Sequence, residues 1–436
     1  MQAGSANRTI NCQIGDDLSG QLSRRLCTRI RDDLEANLLY LSDGRESVLL
    51  VSLDLAGLFE LTWVRETTAA MAASSGVPDR NTIITSTHTH TGPDTLGLLF
   101  DSPKNNAYLA TLREVLVDGA AEAVANARPA RIGWGAGTAH IGYNRRLCWA
   151  DGSHTMYGDS SRPDFIGLEG PDDPSHTVLF AADEDGYIAI VHANCSHATC
   201  VGSADYASAD FPGEARRAVR EALGQALPVL YLQGASGDTS PSNMLDVNRQ
   251  QDGEQRMREM GALMASETQR LIQEATLVTD PVLRHAYDDI SIDVRLPSDE
   301  GLRHAEAVEQ AGENSAGRSE YVLQVSGALR LYRSFRDNPV ETLAIHALRI
   351  GDLGIATNPC ELFCQFGLDI KRRSPAPITM VSQLTDGFSG YCPTMGALMG
   401  GGYSSDPTYW CRLQASAGDK IVDASSRLLY ELWKEG

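Results

Sequence analysis

Residues 81–94 read NTIITSTHTHTGPD, and the fold turns on this stretch. The first six, NTIITS, are short and rich in β-branched side chains, the composition of a buried strand. A polar run follows at once, with His88 and His90 spaced i, i+2. Alternation along an extended chain predicts both imidazoles on one face, where they address one point. Working backwards, residues 47–54 (SVLLVSLD) are a near-continuous apolar run of strand length, the mark of a strand covered on both faces. Residues 60–75 between the two runs have helical character, so the segment reads as a βαβ unit.

The same grammar continues outward. A long helix is expected over 106–127, ended by Pro129. Residues 177–182 and 187–193 read as a hairpin around Asp183-Glu184-Asp185-Gly186. A helix over 212–223 has Pro212 in its first turn, and PVLYL at 228–232 is another buried strand. Helices over 256–275 and 302–336 flank a strand-like stretch at 282–296, and 341–350 with 353–357 make a second hairpin turning at Gly351-Asp352. No repeat, low-complexity tract or linker divides the chain. Residues 1–436 are therefore expected to form a single domain of α/β class, a layered α/β/α arrangement with a largely parallel or mixed sheet. Polar motifs follow predicted strands at 87–94, 194–199, 234–240, 358–361 and 385–391. Ligands of open α/β sheets lie beyond the carboxyl ends of strands, so five loops are expected to meet at one site.

Bulk composition excludes several classes. The 436 residues are 42% hydrophobic and 22% charged, ordinary values for a chain with a substantial core. The formal net charge is −20, from 37 Lys and Arg against 57 Asp and Glu. That balance repels phosphate backbones and anionic lipid, so no nucleic acid and no membrane is expected as a partner. The N-terminus shows no basic segment leading into an apolar run, so no secretory signal is expected. No stretch approaches the roughly 18 consecutive apolar residues of a membrane span. Nine scattered cysteines suit reduced thiols in a cytoplasmic enzyme better than a disulfide framework. Cys360 with Cys364, and Cys195 with Cys200, lack partners at zinc-finger spacing and read as small buried residues.

The His-x-His pair at 88 and 90 is a common start for a metal site, since imidazole suits zinc. A metallo-β-lactamase pattern would need Asp and His where Gly92 and Pro93 stand. An amidohydrolase barrel would need a bridging lysine after a strand, and none is found. Other motifs accompany the pair in order: Asn144-Arg145, His197 in NCSHATC, GDTSPSN at 237–243, Glu361 in NPCELF, and Gly390-Tyr391 followed twelve positions on by Tyr403.

Taken together these six elements resemble the neutral/alkaline non-lysosomal ceramidase family, in order and over most of the chain. The resemblance implies a zinc ion bound by His88, His197, Glu361 and Tyr391, with His90, Arg145, Ser240 and Tyr403 around it. It also implies metal-activated water attacking an amide carbonyl, Arg145 and Tyr403 donating to the oxyanion, and His90 moving a proton to the leaving amine. The matching serine has been viewed as a nucleophile or as a group that positions water, and both roles stay open for Ser240. Asp238 in the same turn has a plain role as a turn former. Asp54 is read as a cap, with the site floor as its alternative. His192 is read as a core histidine, and His140, His154, His176, His285, His304 and His346 as structural or exposed. The run Gly400-Gly401-Gly402 is expected to shape the approach of Tyr403.

Members of the family are typically secreted or membrane-associated, with a C-terminal immunoglobulin-like domain. Here the residues after Tyr403 read as one closing helix, and no such domain is expected. A small, soluble amide is therefore the expected substrate of a zinc-dependent amidohydrolase in the cytoplasm, with a homo-oligomer left open. The alternatives are a zinc esterase or lactonase, or a true ceramidase acting on N-acyl sphingoid lipid. A non-catalytic scaffold would require a lost ligand, and all four are present.

Overall fold

The computed structural model describes residues 1–246 and 252–434. Among them, three larger mixed sheets carry the architecture. The first runs Thr82–Ser86, Ser47–Leu53, Glu35–Ser42, Gln2–Thr9 and Arg128–Pro129. The second runs Val229–Gln233, Tyr187–Asn194, Ser175–Ala182 and Arg131–Thr138. The third runs Leu283–Asp293, Val340–Ile350, Leu353–Thr357 and Ile378–Ser382. Each is antiparallel except for one parallel pair at its edge, and in each that pair is closed by a helix: Leu61–Ser75, Asp210–Leu223 or Cys364–Arg373.

Strand alternation explains how the sheets pack. One face of each sheet meets the other two sheets in a shared core that holds Leu39, Leu50 and Ile83 from the first, Val191 and Leu232 from the second, and Leu348 and Ile355 from the third. The opposite face meets helices. Leu38, Leu49 and Val51 pack on Val64, Met71 and Leu112. Phe180 and Ile190 pack on Val219 and Leu271. Leu343 and Ile345 pack on Ile370, Ile421 and Leu428. The expected α/β layers with mixed sheets are thus present, distributed over three sheet-and-helix layers turned sheet-inward. The carboxyl ends of all three parallel pairs lead into the loops that carry the polar motifs.

Some expectations change. The helix expected over 302–336 is interrupted. Asp299–Ala311 stops at Gly312 and the chain turns again at Gly317, both with φ near +80°, before a π-helical turn at Val322–Leu329. The strands Gln2–Thr9 and Arg131–Thr138 carry glycines where alternation would ask for bulk. A side chain on Gly4 would lie 2.1 Å from the carbonyl oxygen of Ala123, and one on Gly133 would lie 2.3 Å from the Phe180 ring. Close approach, not hydrophobicity, selected those residues.

Asp54 is neither cap nor site floor. Its Oδ2 accepts from the Glu35 amide (2.8 Å) and pairs with Arg216 (2.8 Å) in the core. His192 is the buried core histidine expected, its Nδ1 3.3 Å from Thr268 Oγ1. All nine cysteines are free thiols. No helix among the described residues is long and apolar enough to cross a membrane.

Candidate metal centre

The site forms where the three parallel pairs end. The strand at Thr82–Ser86 stops two residues before His88, whose φ of 67° turns the chain into the left-handed region. The two histidines therefore do not share a strand face, as alternation predicted. A bend at His88 swings its ring onto that of His90, centroids 4.7 Å apart and nearly perpendicular. Their Nε2 atoms still meet, at 3.2 Å.

Backbone carbonyls fix the tautomers. A carbonyl only accepts, so His88 Nδ1 donates to Ala56 O (2.6 Å) and His197 Nδ1 donates to Ser236 O (2.7 Å). Both Nε2 atoms are then lone pairs. They lie 3.0 Å from each other, and Glu361 Oε2 lies 3.3 Å from His88 Nε2 and 3.1 Å from His197 Nε2. Three buried acceptors face one another, and the hydrogens offered to them come from outside the trio, from Arg145 Nη2 at 3.1 Å from His197 Nε2 and His90 Nε2 at 3.2 Å from His88 Nε2. A tetrahedral zinc with bonds of about 2.0–2.1 Å separates its ligand atoms by roughly 3.3 Å, so the donor set fits a zinc ion in both chemistry and spacing. His90 joins His88 and His197 as a convergent, metal-capable group.

Burial, then the Arg145 charge, holds His197 down at about 3, a neutral imidazole at pH 7. Burial pushes the Glu361 carboxyl up, and positive charge on the adjoining rings of His88 and His197 draws it down below its ordinary value. Burial, reinforced by Glu361, lifts the Tyr391 phenol well above its usual range. Carbonyl-anchored imidazoles of this kind are the usual support of metal-ligating histidines.

Arg145 is buried and committed. Its Nη1 donates to Tyr157 Oη (3.0 Å), and its Nη2 points to Gly237 O (2.9 Å), His197 Nε2 (3.1 Å) and Tyr391 Oη (3.2 Å). Its backbone amide donates to Asp238 O (2.8 Å). Tyr391 also sits on the bridge Glu361–Leu362 to Tyr391–Cys392, which pairs the two motif loops in parallel. Tyr403 lies 5.8 Å from the Tyr391 ring and 5.8 Å from Trp410. The glycines before it are a tight fit, since a side chain on Gly400 would strike His154.

Ser240 lines the same cavity, of about 590 Å³, with His90, Arg145, Tyr391 and Tyr403. Its hydroxyl hydrogen-bonds within its own turn, to Ser242 O at 3.2 Å. Among the described residues no basic side chain is hydrogen-bonded to it. Sequence reasoning missed Tyr157, which touches Arg145 and has φ of 64°. It also missed the anchors Ala56 O and Ser236 O, which as backbone groups leave no mark in composition.

The chain superposes on two solved structures. A structure described as ceramidase complexed with C2 matches with a TM-score of 0.73 at 16% identity, covering 100% of this chain and 75% of that one. The fold is that of the neutral ceramidases. The neutral ceramidase from Pseudomonas aeruginosa matches equally, with a TM-score of 0.73, 16% identity, and coverage of 99% of this chain and 74% of that one. No protein-family model matches the sequence, and no curated protein matches it by sequence. The ceramidase fold agrees with the resemblance drawn from the six motifs.

Proposed function

We propose that this protein is a zinc-dependent hydrolase that cleaves a non-peptide amide bond, with His88, His197, Glu361 and Tyr391 as the ligand set. The observation that carries the reading is the trio of acceptor atoms on His88, His197 and Glu361, at tetrahedral spacing, with both imidazoles held by carbonyl anchors. Bound zinc would supply Lewis-acid polarisation and lower the pKa of water to about 7.

The chain's own groups divide the remaining work. Arg145 lends its buried positive charge, and Tyr403 a hydroxyl hydrogen, to the negative charge that grows on the carbonyl oxygen. His90, kept neutral first by burial and then by His88 and His197, has an unengaged Nδ1 and moves the proton to the departing amine. Ser240, bonded within its own turn and without a base, positions substrate or water and is not the nucleophile. The free thiols support a cytoplasmic setting.

The shared fold favours a second reading, a ceramidase acting on N-acyl sphingoid lipid. Elemental analysis of the purified protein tests the centre. About one zinc per chain, absent from both His88→Ala and Glu361→Ala, is expected. A zinc-supplied wild type that holds no metal would remove the hydrolase reading. Matched ester and amide substrates then distinguish an amidase from an esterase or lactonase.

A further inference from the structure

The centre stands between two spaces of opposite character. On one side lies the 590 Å³ cavity, lined by Tyr143, Arg145, Ser240, Asn243, Asp246 and Arg256. On the other lies a cleft of about 50 Å³, lined mainly by Leu96, Leu98, Leu99, Phe388 and Trp410, with Asp94, His88 and Glu361 also in its lining. His90, Tyr391 and Tyr403 border both. The cleft is about a twelfth of the cavity's volume and suits the smaller of two substrate arms.

Arg145 spends its two terminal nitrogens on Tyr157, Gly237, Tyr391 and His197, and its Nε is buried without a partner. Arg256 does not spend its own. Its Nε donates to Pro241 O (3.1 Å) and its guanidinium stacks over Tyr143 (5.8 Å), while among the described residues no carboxylate pairs with it. Its two terminal nitrogens are thus unspent beside the cavity. The carboxylate of the lining, Asp246, is already engaged. A cavity with two guanidiniums in a chain of net charge −20 is a local reversal of sign that concentrates anions.

We infer that the substrate is an N-acyl amine with a short aliphatic acyl group in the leucine-lined cleft and an amine portion carrying a carboxylate that pairs with Arg256. This rests on the amide-hydrolase reading and narrows it. Water adds its hydroxyl to the acyl carbon and its hydrogen to nitrogen as the C–N bond breaks, giving a short fatty acid and a free amino acid.

The test is calorimetric binding, followed by hydrolysis, on the zinc-supplied protein. The ligands are N-butanoyl-4-aminobutanoate, its neutral carboxamide counterpart, and N-decanoyl-4-aminobutanoate. The acid should bind at least tenfold tighter than the neutral counterpart and the decanoyl compound. Arg256→Met should abolish that preference, while Arg256→Lys retains part of it and both variants keep their zinc. Equal binding of acid and neutral ligand, an Arg256→Met variant that still prefers the acid, or preferred binding of the decanoyl chain would each overturn the inference. Arg256-dependent binding without turnover would uphold the ligand class and count against the hydrolase reading instead.

Discussion

Asn144 Nδ2 donates to Asp238 Oδ2 at 2.9 Å, and that bond fastens the loop of Arg145 to the loop of Ser240. The other oxygen of Asp238 accepts the amide of Cys364 at 2.7 Å, three residues beyond Glu361. One carboxylate thus ties three motif loops, which is more than a turn former does. Asp238→Asn would set an amide NH₂ against one of two donors. We expect activity to fall about 10–100-fold, as for other groups that orient metal-site residues. The loss should appear mainly in kcat, since Arg145 is displaced and the cavity is not.

Removing metal should cost stability. If zinc binds the native state alone, a concentration 100-fold above Kd adds about 2.7 kcal/mol. Chelation should therefore lower the melting temperature and zinc should restore it. Both effects should vanish in His197→Ala, whose fold loses one imidazole but none of the carbonyl anchors of His88.

Gly390 stands directly before Tyr391 with φ of 74°, and a side chain there would lie 2.3 Å from the carbonyl oxygen of Trp410. Gly390→Ala meets both a left-handed backbone and a clash. The backbone alone costs about 1–2 kcal/mol. Denaturant titration should show at least that loss, and the zinc-dependent rise in melting temperature should shrink because the Glu361–Tyr391 bridge moves.

The core ion pair gives a third stability test. Arg216 bonds Asp54 at 2.8 Å and Glu35 at 3.1 Å, all three buried or nearly so. Arg216→Met leaves a carboxylate without its partner and should cost about 3–5 kcal/mol. The double variant Asp54→Asn, Arg216→Met should recover much of it.

Acid sensitivity follows from His176, whose Nε2 is 2.8 Å from Thr268 Oγ1. Burial holds it down to about 4 from its ordinary 6.5. Between those values the unfolded chain binds a proton that the folded chain refuses. Its contribution is therefore intact above pH 6.5 and lost as pH falls toward 4, by about 3 kcal/mol in all. Asp210, pushed up to about 6 by burial, acts in the opposite sense below that pH. The contrast is cleanest as a difference: the stability gap between wild type and His176→Asn should narrow steadily from pH 7 to pH 4.5.

The sequence made the parallel pairs legible because strands covered on both faces write themselves as unbroken apolar runs, as Ser47–Leu53 does. The motif loops were legible too, because polar residues directly after such runs have few structural uses. Gln2–Thr9 was not legible, since its residues were chosen for a close helix contact. Nor was the bend at His88, a backbone conformation that no spacing reveals. Tyr157 has no motif around it, and its bond to Arg145 is set by a turn formed at a distance.

His88, His197 and Glu361 lie on loops that follow strands of three different sheets, separated by 109 and 164 positions along the chain. A fragment that contains one layer, or two, holds at most two of these three groups. If the proposed zinc needs all three groups, half-built intermediates would hold it poorly, and its capture would report that the last interface has closed. Split or circularly permuted versions would show this as an all-or-nothing gain of zinc, with the ion acting as the final inspector of assembly rather than its nucleus.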